Sequence, residues 1–332
     1  MDVRRTWPGR RILLPAGLLL LLTALALLGA AEAGTSVPAG TLAGGATWTF
    51  TGSPYTLDGK ITVPDGATLR IEPGVEVRAP GGASIEVYGS LVVVGAPSSR
   101  VELRPAPLAT LWGGIKVLGS GAARIENATI EDAGTGLYIR TSGVVTVSDT
   151  EILGSNGDGI SVSGDTGGVW LQDVRIFRAG TSLRAENGRA NIVADRLNLS
   201  RAFDCVAVRS ASELTIRSSH ISLCQHDGVF AQLASNITVE STDFSEWSMA
   251  AVAAQSSSRV SVGYSTFNAS EPSFAVWLGG TRDSIVKFNT ITMKSWPETH
   301  IFRQVPVAVQ VSNPSGPNQL RGNVISVFSR GI

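Results

Sequence analysis

The feature that most constrains this chain is a repeat with a period near 23 residues. Ile130, Ile152, Ile176, Leu199, Ile221, Phe244, Phe267, Ile291 and Ile325 occupy equivalent places, at spacings of 22, 24, 23, 22, 23, 23, 24 and 34. Short apolar stretches such as Val145-Thr146-Val147, Ile237-Thr238-Val239 and Val260-Ser261-Val262 precede these anchors. After most of them comes a second alternating stretch, from Leu137-Tyr138-Ile139 through Val229-Phe230-Ala231 to Val276-Trp277-Leu278, with Val309-Gln310-Val311 continuing the series. Alternation with period two marks strands with one buried face. The Gly, Asn, Asp and Ser between them are turn chemistry. A unit of two or three short strands cannot bury its face alone, so it must stack on copies of itself as a solenoid. Each strand then faces its copy one coil away, which makes the sheets parallel and in register. A propeller blade would repeat at about 40 residues instead, and no stretch after the N-terminus sustains a helical period.

The array over 123–332 resembles the parallel β-helix repeats of the right-handed pectin-lyase-like superfamily. The stretch Ile61-Thr62-Val63-Pro64-Asp65-Gly66-Ala67-Thr68-Leu69-Arg70-Ile71-Glu72-Pro73-Gly74-Val75, with Trp112-Gly113-Gly114-Ile115, is similar to the N-terminal module of many secreted β-helix proteins. The resemblance implies an all-β, right-handed parallel β-helix, with N-terminal coils over 34–122 and repeats over 123–332. It says little about function, since one such fold carries many activities. Gly331-Ile332 falls in register with Gly159-Ile160. A solenoid is expected to cap its last coil, so the sequence reads as truncated inside a strand.

Arg4, Arg5, Arg10 and Arg11 precede an apolar run from Ile12 to Ala31 that ends in Ala31-Glu32-Ala33. This is the pattern of a secretory signal peptide over 1–33. The rival is a retained anchor, because twenty mostly apolar residues span a bilayer. Cleavage after Ala33 would remove four Arg, Asp2 and Glu32, taking 27 basic and 27 acidic residues to 23 and 25. So balanced a chain is no nucleic-acid binder. Its expected place is secreted or at the cell surface, with no membrane contact once the leader is gone.

Between the two inward positions of each second stretch lies an outward residue. Coil by coil these are Tyr138, Ser161, Arg184, Ala207, Phe230, Ala253, Trp277 and Gln310. Aromatic faces stack on sugar rings and Arg184 would hold a carboxylate, so Tyr138, Arg184, Phe230 and Trp277 are candidate glycan contacts. The 34-residue spacing marks an insertion inside 294–306 that carries Trp296, a further candidate. In the preceding turn, Asp158, Thr181, Asp204, Asp227 and Ala250 form another column. Neighbouring carboxylates at Asp204 and Asp227 bind Ca²⁺ or split into acid and base roles. The same residues also suit ordinary turns. Beyond that weak Ca²⁺ candidate no cofactor is implied. Cys205 and Cys224 lie in turns of adjacent coils, either joined in a disulfide or left as two thiols. Asn127, Asn198, Asn236 and Asn268 open glycosylation sequons.

The superfamily's catalytic patterns do not carry over. There is no Asp-Asp pair, His226 sits in Gln-His-Asp-Gly rather than Gly-His-Gly, and no Arg-x-Lys occurs. Three His, three Met and two Cys give no soft-ligand cluster for copper. The outward column also lacks the Thr lattice of ice-binding solenoids. The expected function is non-catalytic binding of a polysaccharide or cell-surface glycan, or a surface scaffold. The alternatives are a lyase or hydrolase acting on acidic polysaccharide, and a purely structural stalk.

Overall fold

The computed structural model describes residues 34–210, 213–269, 273–295 and 307–329. Expectations for the leader, for Trp296 and for Gly331-Ile332 concern residues outside these. Each coil holds three strands, so three strand columns run along the axis. The first column is a 12-stranded sheet from Ala46–Trp48 to Asn318–Arg321. The second and third columns merge into one 23-stranded sheet. They merge because Arg175–Glu186 and Asn198–Arg209 each run 12 residues through the corner between the columns without a break. All strand pairings in both sheets are parallel. Among the described residues the only helical piece is a 3₁₀ turn at Phe50–Gly52.

The nine anchors of the repeat form one continuous ladder in the second column. Ile130 pairs with Ile152, Ile152 with Ile176, and the series continues through Leu199, Ile221, Phe244, Phe267 and Ile291 to Ile325. Inside the helix, Phe244 and Phe267 stack with ring centroids 5.0 Å apart. The third column contributes Leu137, Ile160, Leu183, Val206, Val229, Val252 and Val276, all buried. Each such side chain contributes about 1.5–3 kcal/mol by leaving water, and the core is the sum of these ladders rather than a single centre.

The corners explain the short non-Gly turns. Asp149, Asp173, Arg196, Ser218 and Ser241 repeat at one corner with φ between 49° and 53°, the left-handed region that Asp and Asn adopt most readily after Gly. At the corner ahead of the third column, an inward row must stay small. It runs Gly136, Gly159, Ser182, Cys205, Gly228 and Ala251. A Cβ at Gly228 would lie 2.5 Å from the Ala251 carbonyl oxygen, so glycine is required where the backbones come closest. This corner supports the candidate site.

Candidate functional site at the third face

The row between the inward positions of the third column is fixed by hydrogen-bond register. Tyr138 stands beside Ser161, then follow Arg184, Ala207, Phe230, Ala253, Trp277 and Gln310, one per coil. The large members are half-buried, and the small ones are covered despite facing outward: Ser161 is 6%, Ala207 0% and Ala253 1% exposed. Each stands between two larger or charged neighbours one coil away. Trp277 lies down along its strand, since a Cβ at Gly279 would be 2.8 Å from its Cζ2. Its Nε1–H donates to Ser312 Oγ at 3.2 Å.

Arg184 has a partner within the chain. Its Nε donates to both oxygens of Asp158, at 3.0 and 2.8 Å, and its Nη2 to Thr181 Oγ1 at 2.8 Å. Burial disfavours the guanidinium charge, yet the hydrogen bond and charge of Asp158 hold its pKa above the ordinary value. The cation expected to wait for a ligand carboxylate already has one from its own chain. The sequence conceals this because the partner sits 26 residues away on the preceding coil, off the straight register.

At the corner before the row, the structure gathers Asp204, His226 and Asp227. His226 Nδ1 lies 3.0 Å from Asp204 Oδ1 and 3.1 Å from Asp227 Oδ2. The Asp227 N–H donates to Asp204 Oδ1 at 3.3 Å, and the Ala250 N–H to Asp227 Oδ1 at 2.9 Å. Asp227 is 1% exposed. Burial pushes its carboxyl up; His226 and the Ala250 N–H pull it down and the Asp204 charge adds to the rise, leaving it at about 6. Two carboxylates facing Nδ1 favour the tautomer that carries its proton there. The imidazole is half-exposed and stacks on the outward Phe203 ring at 5.2 Å and 7°. In the sequence His226 stands out only within Gln-His-Asp-Gly, because its partner Asp204 belongs to the coil before.

Cys205 and Cys224 are joined in a disulfide, with Cα atoms 5.6 Å apart. One follows Asp204 and the other stands two residues before His226, so the bridge ties together the two coils that supply the cluster. The ligand atoms of Asp204, His226 and Asp227 lie within 4.8 Å of one another. One nitrogen and carboxylate oxygens suit a Zn²⁺-type ion better than Ca²⁺, which takes oxygen ligands throughout. The remaining expected positions are dispersed. Asn198 and Asn268 are exposed. Asn127 sits in a left-handed turn at φ 47°. Asn236 is occupied, donating to Glu213 at 2.9 Å and accepting from Arg259 at 2.5 Å.

Among the described residues no helix is long and apolar enough to cross a membrane. Similar solved structures include a mutant of the periplasmic alginate epimerase AlgG, at 10% identity and TM-score 0.47, covering 82% of this chain and 77% of that one. The Azotobacter vinelandii mannuronan C-5 epimerase AlgE6 A-module is 14% identical with TM-score 0.36, covering 93% and 94%. The Streptococcus pneumoniae surface protein and adhesin PfbA is 8% identical with TM-score 0.34, covering 93% of each. No curated protein matches the chain. The family model described as "Right handed beta helix region" matches residues 113–197 and 204–332, more than half of the sequence. The chain therefore belongs to the right-handed β-helix family.

Proposed function

We propose that this protein binds an extended polysaccharide outside the cytoplasm, laid along the third face of its β-helix. The observation that carries the reading is the register that sets Tyr138, Arg184, Phe230 and Trp277 in one line parallel to the helix axis. A straight row of flat groups on a rigid sheet presents preformed stacking surfaces, so little conformational entropy is lost on binding. The leader-like sequence over 1–33 supports export. A glycan array followed by titration calorimetry tests the proposal. Trp277→Ala and Phe230→Ala should each weaken binding about 3- to 10-fold while the melting temperature stays near that of the parent. Absence of binding to any glycan would overturn it.

A second reading is favoured by the cluster beside the row. A half-exposed imidazole with Nδ1 on two buried carboxylates has the form of an oriented general base. In this reading His226 exchanges a proton with the bound chain, and Asp204 and Asp227 fix the ring. New reducing ends or unsaturated products, lost in His226→Gln, would establish it. Binding without product supports the first reading alone.

A further inference from the structure

The row on the third face has a regularity that its composition hides. Flat groups (Tyr138, Arg184, Phe230 and Trp277) alternate with small residues (Ser161, Ala207 and Ala253) through seven consecutive coils. Ala207 and Ala253 are buried although they face outward, and the alternation sets each beside a larger neighbour. It also spaces the platforms two coils apart, ~9.6 Å at the usual strand separation.

Several charges on this face are paired within the chain. Arg184 is held by Asp158, and Glu86 lies between Lys60 at 3.3 Å and Lys116 at 3.2 Å. Glu186 and Arg209 are register neighbours, with the Arg209 guanidinium 5.6 Å from the Phe230 ring centre. The row flanking the platforms continues with Gln232, whose Nε2 donates to Gln255 Oε1 at 2.9 Å. Amides beside flat rings suit hydroxyl groups and the apolar faces of sugars. They offer nothing special to a polyanion.

We infer that the ligand is a neutral glycan with a two-fold repeat, of the β-1,4-linked pyranose kind, one disaccharide for every two coils. In such a chain successive sugars are turned over, so equivalent ring faces recur at every second sugar. That distance is close to two strand spacings. The inference rests on the glycan-binding reading and specifies its ligand. It also departs from the acidic polysaccharide that Arg184 had suggested.

The test is calorimetric titration of the full chain with β-1,4-linked gluco- and manno-oligosaccharides lengthened one sugar at a time, with polygalacturonate and alginate in parallel. Affinity should climb mainly at every second sugar, about 3- to 10-fold per platform gained, and change little with salt. Ala253→Trp sets an extra flat group between two platforms and should abolish the two-sugar step, with the melting curve confirming that the variant is folded. Should that variant unfold, Phe230→Ala should remove one step and leave the rest. An equal gain with every sugar would overturn the two-fold repeat. Tighter binding of the polyuronates, falling as salt rises, would overturn neutrality while leaving glycan binding intact. Failure to bind any of these probes or any other glycan would overturn the broader reading itself.

Discussion

The second and third columns of this β-helix share one merged sheet and the same inward chemistry, yet their outer surfaces differ. Outside the second column the row runs Thr129, Glu151, Arg175, Asn198, His220, Asp243 and Thr266. It mixes charges and short polar groups with no alternation, and from Arg175 onward every member is exposed. Outside the third column, flat and small residues alternate, the small ones are buried, and Arg184 is paired with Asp158. The inward ladders therefore specify the coil, and the outward rows are free to differ. One outer face remains an ordinary solvated surface, whereas the other is shaped.

The largest break in this comparison comes from the shared interior. Ile221→Asp or Val229→Asp would place an unpaired carboxylate in a ladder with no polar partner, at a cost of several kcal/mol. Thermal unfolding should show loss of the native transition or a large fall in melting temperature. His220→Asp, one residue away but outward, should shift stability by no more than about 0.5 kcal/mol. Equal effects would show that the inward and outward assignments are wrong.

The corner between the two columns is the next place to press. Replacing both Cys205 and Cys224 by Ala opens a 19-residue separation and should cost about 3 kcal/mol in denaturant unfolding. Its effect should be felt locally as well. Amide exchange should quicken around Asp204 and His226 before it does around Thr129 or Glu151. Uniform quickening would indicate that the bridge does not specially hold the cluster.

A subtler effect follows from Asp227. Its folded pKa is raised from 3.8 to about 6, so between those values the folded protein keeps a proton that the unfolded chain has released. The stability linked to this proton is fully present below the unfolded pKa. It declines as pH rises through the window and is lost above about 6, a change of at most about 3 kcal/mol. Asp227→Asn should flatten that part of the stability–pH curve. An unchanged slope in the variant would assign the titration to another group.

How much of this was legible beforehand follows the reach of each interaction. The anchors from Ile130 to Ile325 announce themselves because burial imposes a strict alternation and a coil-length period. The outward row was readable residue by residue, but its two-coil rhythm has meaning only once register shows which residues flank the buried Ala207 and Ala253. The Asp204 and Asp227 column was visible from its spacing. The role of His226 was not, since it depends on a ring turned toward the preceding coil. The Arg184–Asp158 pair is hidden for a similar reason. A long side chain chooses its partner diagonally, and no one-dimensional spacing encodes that choice.

The most direct test of the distinction between the two faces is a paired titration with one bound glycan. Trp277→Ala alters the third face and Thr266→Ala the second, while both should leave the coil folded. Affinity should fall about 3- to 10-fold for Trp277→Ala and stay unchanged for Thr266→Ala. Equal losses in both, or loss only in Thr266→Ala, would contradict the assignment of binding to the third face.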